Sequence, residues 1–339
     1  MATNGTTPTV RDVAQLAGVS PGTVSKALNG RGQLREETRL RVRSAAEKLG
    51  FQPNHSARSL LAGRTYTVGV LTSDSFGRFT LPVMEGIEDS LGAGQLSTLL
   101  CDGRGDPLRE RHYLQELLNR RVDGLVVTGR RSDPRRTVGR LPIPVIYVLT
   151  RSDEPGDLSV TYDDAQGAEL AIQHLLSVGR KRFAFVSGPP GHLASRLRRQ
   201  GAERGLAAAG LTLAPENVLL GQWSEAWGRT AAGLLVRRPA AERVDGIFCG
   251  SDQVARGVAD GLREAGVAVP DDVSVVGFDN WDVMVEASRP PLTTVDPNLT
   301  KLGQESASLL LTAIDGGELG TGVVLRPCEL VLRESSVPA

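Results

Sequence analysis

From residue 66 onward the chain alternates short β-branched runs with amphipathic helical stretches, and this alternation narrows the possible folds more than any other feature. Apolar runs stand at Val68–Leu71, Leu96–Leu100, Gly124–Val127, Val145–Val148, Phe183–Val186, Gly246–Cys249 and Val273–Phe278. Helical periodicity separates them at Leu81–Leu91, Arg109–Asn119, Ala165–Val178, Arg196–Ala209, Ala226–Val236 and Val254–Ala265. A strand followed by a helix and another strand pairs in parallel, with helices covering both faces of the sheet. About 275 residues is long for one doubly wound sheet, so the pattern predicts two such subdomains. Open α/β sheets bind ligands at the carboxyl ends of their strands. Two sheets facing each other predict a cleft there, where small molecules sit.

The first 50 residues have a different pattern. Val10, Val13, Ala14 and Ala17 repeat at helical spacing, and Thr9 precedes Asp12 as in a capping box. Gly18 can end that helix in the left-handed region. Ser20 then offers an N-cap and Pro21 a pre-set first helical position, with Val24, Ala27 and Leu28 as the apolar stripe. Two short helices around a Gly-containing turn match the helix-turn-helix DNA-binding unit, although an ordinary αα-hairpin shares the pattern. A third helix follows over Arg35–Leu49, closed by Gly50. In residues 51–65, Pro53 interrupts helix and Asn54 can cap a short one through Leu60, too short to be stable alone.

Charge decides between the two readings. The whole chain balances 39 basic against 39 acidic side chains. Residues 1–64 hold ten basic and four acidic groups, a net of +6, which leaves −6 for the remainder. A basic head on an acidic body is the footprint of a nucleic-acid module attached to something else.

Ordered motifs along nearly the whole chain extend this reading. They are DVAQLAGVS, TVSKALNG, EETR, LGFQPN and ARSL in the head. In the body they are GIE at 86–88, RRVDGLVV ending at 127, the run from Asp163 to Pro189, the run from Ser251 to Asp279, RPPLTTV at 289–295 and ELVLRESS at 329–336. In this order and spacing the chain resembles the lactose-repressor (LacI/GalR) family of bacterial transcription regulators. The resemblance implies a small all-α helix-turn-helix head over 1–50, a hinge helix and linker over 51–65, and an effector-binding and dimerisation core over 66–339. The implied core is α/β, two doubly wound parallel-sheet subdomains like a periplasmic binding protein. Its N-subdomain would take about 66–179 and 296–322, and its C-subdomain about 180–292 and 325–339, with crossings near 179–183, 291–296 and 322–328.

Residue by residue, the resemblance places Thr9, Ser20, Thr23, Ser25 and Asn29 at DNA, mostly against its backbone. Pro21 and Gly22 fall where the family varies its base-reading side chains, and neither donates a side-chain hydrogen bond. Lys26 falls where arginine is commonest and can donate to a guanine edge, but without arginine's fixed fork. Asn54, Ala57 and Leu60 match the hinge helix, with Leu60 as the wedge into the minor groove of a palindromic operator. For the effector, Arg198, Asp279 and Trp223 match family positions; Asp74, Phe79 and Thr80 lie after the first strand, where the ligand loop should be, Asp163, Ser251 and Asp252 lie on similar loops, and Trp281 is a further aromatic candidate. Arginine and carboxylate suit vicinal hydroxyls, and tryptophan suits the C–H face of a sugar.

The expected partners are palindromic double-stranded operator DNA, a mono- or oligosaccharide effector and a second copy of the chain. A purine or nucleoside effector is the alternative. The dimer would use the helices at Leu81–Leu91 and Val254–Ala265, and the stop soon after ELVLRESS leaves no heptad segment for a tetramer. A secreted sugar-binding protein would share the core, but the polar start MATNGTTPT lacks a leader's apolar region. No nucleotide-binding, zinc-protease or serine-elbow motif asks for catalysis. The histidines lack metal spacing, so no metal and no cofactor is expected. Cys101, Cys249 and Cys328 are isolated, which suits a reducing cytoplasm. The arginine-rich run at 130–136 reads as a solvated loop.

Overall fold

The computed structural model describes residues 8–28, 33–51, 64–75, 77–91 and 97–337. The chain divides into two compact units, Met1–Thr65 and Tyr66–Ala339.

The first unit contains three described helices, α1 (Val10–Ala17), α2 (Pro21–Leu28) and α3 (Glu36–Leu49). The capping box at the start of α1 is formed from both sides. Thr9 N donates to Asp12 Oδ2 at 2.7 Å, and Asp12 N donates to Thr9 Oγ1 at 3.4 Å. Gly18 ends α1 at φ 64°, a conformation in which a Cβ would crowd the backbone. Ser20 Oγ receives Thr23 N at 3.1 Å and so caps α2. Arg35 at the start of α3 makes no side-chain cap. The core is built from small side chains: Val13, Ala14, Ala17, Val24, Ala27, Val42, Ala45 and Ala46. Phe51 packs against this core, and its N–H donates to Ala46 O at 2.9 Å. The helical head thus reaches one residue past the expected boundary at 50.

The second unit holds two six-stranded sheets. The first is ordered β13-β7-β5-β3-β1-β2 and is parallel throughout. Its strands are β1 (Thr67–Thr72), β2 (Ser97–Asp102), β3 (Gly124–Thr128), β5 (Val145–Val148), β7 (Leu158–Tyr162) and β13 (Gly322–Arg326). The second is ordered β14-β12-β11-β10-β8-β9, from β8 (Phe183–Ser187), β9 (Val218–Leu220), β10 (Gly246–Cys249), β11 (Ser274–Phe278), β12 (Thr293–Asp296) and β14 (Glu329–Val331). Among the described residues, only β14 runs antiparallel to its neighbour in that sheet. Two short strands, β4 (Pro134–Arg135) and β6 (Arg151–Ser152), pair apart from both sheets. Strand order reverses around β1 in one sheet and around β8 in the other, which opens a crevice beyond the carboxyl ends of each.

Packing corrects the expected lobe boundaries. The helix α6 (Asp164–Ser177) buries Ala168, Ala171, Ile172 and Leu175 with Phe185, Phe248 and Phe278 of the second sheet. The first crossing therefore lies at Tyr162–Asp164, not near 179–183. A helix's apolar stripe shows that it has a buried face but not which sheet it covers. The strand β12 belongs to the second sheet, and α11 (Leu299–Ile314) covers the first sheet beside α4 (Thr80–Leu91). The second crossing thus falls at 296–299. Because β13 pairs with β7 along its full length, the third falls at 326–329. The contact of α4 with α11 is backbone on backbone, since a Cβ on Gly86 would lie 1.8 Å from Thr300 O. The remaining helices are α5 (Pro107–Asn119), α7 (Leu193–Ala208), α8 (Glu225–Val236), α9 (Asp252–Glu264) and α10 (Asp282–Val285).

Candidate functional site

The loops at the carboxyl ends of both sheets converge on a cavity of about 300 Å³. Its centre is Arg198, on the second turn of α7. The guanidinium is buried, and every face of it is engaged. Nε donates to Asp164 Oδ1 at 2.8 Å, Nη2 to the Tyr162 hydroxyl at 3.1 Å, and Nη1 to Gly250 O. Asp279 Oδ1 lies 3.6 Å from Nη1, and the Phe278 ring lies beneath, its centroid 3.5 Å from Cζ. Burial works against the charge on Arg198, and Asp164 in particular holds its pKa above the usual arginine value. Burial, with Asp164 beside it, raises the Tyr162 phenol well above its ordinary range.

Arg78, in the loop after β1, reaches across to the other lobe and donates to Asp279 Oδ2. Its guanidinium lies between two rings, 4.7 Å from the Phe79 centroid and 4.2 Å from that of Trp281. It thereby parts the main cavity from a second compartment of about 290 Å³, lined among others by Asn280, Trp281, Asp296 and Asn298. Asp279 itself holds φ 109°, a region non-glycine residues rarely adopt and one that collects at functional sites. Burial pushes its carboxyl up, and Arg78 and then Arg198 oppose that shift.

The ten residues expected at the effector divide into two groups. Phe79, Arg198, Trp223, Ser251 and Asp279 line the main cavity, and Trp281 lines the second compartment. The other four hold the loops in place. Asp74 accepts from Phe79 N at 2.8 Å and from Thr80 N at 3.1 Å. Thr80 shares its hydroxyl with Thr72. Asp163 caps α6 through the N–H groups of Ala165 and Gln166. Asp252 accepts from Trp281 N at 2.8 Å and from the Thr294 hydroxyl, and burial, with Asp279 beside it, raises its pKa well above the usual carboxylate range. These carboxylates point at donors within the loops, mostly backbone N–H groups, rather than at the cavity.

Several cavity residues were not anticipated: Arg78, Arg130, Arg131, Asp133, Tyr162 and His192. Asp164, immediately after the predicted Asp163, is the residue that meets Arg198. The run at 130–136 is not simply a solvated loop. Arg130 and Arg131 are exposed yet line the cavity, and Arg135 pairs with Glu110 at 2.6 Å.

In the head, Pro21, Gly22, Ser25 and Lys26 lie exposed along α2, as do Thr9 and Ser20 before their helices. Thr23 is half-buried, its hydroxyl 2.9 Å from that of Ser20. Asn29, Asn54, Ala57 and Leu60 lie outside the described residues. No helix among the described residues is long and apolar enough to cross a membrane, and no group of three metal-ligating side chains forms among them.

Comparison with known proteins matches this two-part organisation. Residues 9–54 match the model for bacterial regulatory proteins of the lacI family, and residues 172–336 match a periplasmic binding protein-like domain. The chain is 31% identical over 332 residues to the HTH-type transcriptional repressor PurR of Aliivibrio fischeri, covering 96% of this chain and 98% of that one. Among solved structures it resembles the transcriptional regulator CelR–cellobiose complex at 30% identity and a TM-score of 0.66, over 97% and 99% of the two chains. It also resembles the lac repressor dimer bound to operator and the anti-inducer ONPF, at 26% identity and a TM-score of 0.76, over 98% and 100%.

Proposed function

Because the chain belongs to the lacI family of bacterial regulatory proteins, DNA-binding transcription regulators rather than enzymes, we propose that it represses carbohydrate-metabolism genes and that a sugar bound between its two lobes controls its hold on the operator. The observation that carries this reading is the cavity where both sheets end. Asp133, whose Oδ2 has no donor among the described residues, and the rings of Trp223 and Phe79 there combine a hydroxyl-binding group with aromatic faces, around the Arg198–Asp279 centre. The rings of Phe79 and Trp223 would also accept a flat base, so a purine or nucleoside is the competing ligand.

In this reading the helix α2 enters the major groove and Lys26 reads a base, while Leu60 of the hinge kinks the centre of a palindromic site. The protein acts in the cytoplasm as a homodimer. Leu81, 59% exposed on α4, supports an interface on that helix. The other helix expected there offers less, since α9 packs on α8 and exposes only Arg263 and Glu264. A ligand releases the repressor by binding one lobe arrangement better than the other.

The test is a gel-shift titration on the DNA upstream of the gene, with and without each sugar that raises the melting temperature. A bound sugar that leaves operator affinity unchanged is not the effector. Failure to bind that DNA more tightly than random duplex would remove the regulatory assignment.

A further inference from the structure

Of the two side-chain contacts of the His192 ring, one lacks an acceptor. Trp223 Nε1, which can only donate, lies 2.8 Å from His192 Nδ1. Nδ1 therefore keeps its lone pair, and the proton of the neutral ring sits on Nε2. Yet Nε2 lies 2.9 Å from Arg131 Nη1, which also can only donate. Protonating both ring nitrogens would only set a second pair of donors face to face. Burial, and then Arg131, lower the His192 pKa and favour the neutral ring. Two N–H groups thus confront each other at the cavity wall, and no side chain among the described residues accepts from either.

The charges nearby are unbalanced in the same sense. Arg198 is committed to Asp164, and Arg78 to Asp279. Arg130 and Arg131 line the same cavity and make no ion pair among the described residues. Arg78 Nε is buried without an acceptor. Beside them, Asp133 spends Oδ1 on Leu193 N at 2.8 Å, while its Oδ2 is buried without a donor. The wall therefore presents donors in want of an acceptor and, next to them, one acceptor in want of a donor.

We propose that the ligand of this cleft is a polyhydroxylated oxyanion, a sugar carrying a carboxylate or phosphoryl group. The anionic oxygen accepts from both Arg131 Nη1 and His192 Nε2, which part from their 2.9 Å contact to admit it, and a neighbouring hydroxyl donates to Asp133. A neutral hydroxyl could accept from Arg131 or His192, but its bond to the guanidinium would lack the charge on the acceptor that an oxyanion brings. Charge-assisted bonds of this kind are about twice as strong as neutral ones. The proposal rests on the cleft being the effector site and adds the chemical class of its ligand.

The experiment is calorimetric titration and thermal shift of the full-length protein with D-glucose, D-glucuronate, D-glucose 6-phosphate, the corresponding galactose series and inorganic phosphate, at matched ionic strength. At least one anionic sugar binds roughly tenfold or more tightly than its neutral parent. Arg131→Gln, at an exposed position, abolishes that preference without lowering the protein's melting temperature. Equal affinity for neutral and anionic partners overturns the proposal. So does an unchanged anion affinity in Arg131→Gln, or the absence of any response to the whole anionic set. A neutral sugar that binds tightly and releases operator DNA would leave the regulatory reading standing and remove the oxyanion alone. An oxyanion that depends on Arg131 but leaves operator affinity unchanged would do the reverse.

Discussion

Replacing Arg198 by alanine tests whether this residue is mainly a ligand contact or mainly a structural tie. The structure favours the tie. Its three donor nitrogens meet Asp164, Tyr162 and Gly250, and both members of the Arg198–Asp164 pair are buried. The variant leaves Asp164 charged, buried and without its cation. Breaking one side of a buried pair costs about 3–5 kcal/mol. The orphaned Tyr162 hydroxyl and Gly250 carbonyl belong to the same network, so their losses fall within that figure rather than adding to it. For a core of this size each kcal/mol moves the melting point by roughly 2–4 °C, so the expected fall is about 6–20 °C. Scanning calorimetry of the full-length protein measures it. The double variant Arg198→Met with Asp164→Asn removes both charges and should recover a large part of the loss. If Arg198→Ala melts within about 2 °C of the wild type, the guanidinium is not holding the fold. A silent effector response in Arg198→Ala would then be informative about recognition, which a destabilised protein cannot provide.

Three further outcomes follow from the geometry. Gly201→Ala places a Cβ 2.0 Å from the carbonyl of Ala165, so α6 and α7 must separate, and denaturant titration should show a loss of about 1–3 kcal/mol. Lys26→Ala should weaken operator binding by roughly 1–3 kcal/mol and random-duplex binding much less. Equal losses on the two DNAs would mean that Lys26 contacts phosphate. Asp252 keeps its proton in the folded state to higher pH than in the unfolded chain, because burial raises its carboxyl pKa. Its contribution is therefore full below the unfolded value of about 4 and is lost as pH rises through the folded one. The stability of wild type should fall more steeply than that of Asp252→Asn across that window, and parallel pH profiles would contradict the assignment.

Local signals in the sequence translated directly into structure. The spacing of Thr9 and Asp12 formed the capping box, and Gly18 took the left-handed turn. Apart from Leu96–Leu100, which became the edge strand β2, the β-branched runs became inner strands, because a strand buried on both faces must be apolar throughout. The strands β4, β6, β7, β9, β12, β13 and β14 and the helices α10 and α11 were not anticipated, since several are edge or short elements whose place is set by tertiary pairing. The site divided along the same line. Asp163 and Asp164 are adjacent, and the sequence does not distinguish them. In the fold the N-cap position turns Asp163 onto backbone N–H groups, while the first helical position turns Asp164 inward to Arg198. Arg78 carries no pattern at all, and only the reversal of strand order at β1 brings it over the cavity. For Arg130 and Arg131, a charge run that reads as solvent-facing in isolation becomes cavity wall because β3 ends there.

The first crossing between the lobes and the core of the site are the same few residues. Tyr162 ends β7, Asp164 begins α6, and both hold Arg198. On the other side, Arg78 of the first lobe holds Asp279 of the second without any ligand. In the proposed switch a ligand therefore does not simply fill an open cleft. It must displace or recruit an ion pair that already joins the lobes, and it acts next to the backbone about which they would move. Only the difference between its affinities for the two lobe arrangements can shift that equilibrium. A ligand that reproduced the Arg78–Asp279 bridge would bind tightly and change little. One that drew Arg78 away from Asp279 would convert its binding into lobe movement, and by reciprocity operator DNA would alter its affinity by the same factor.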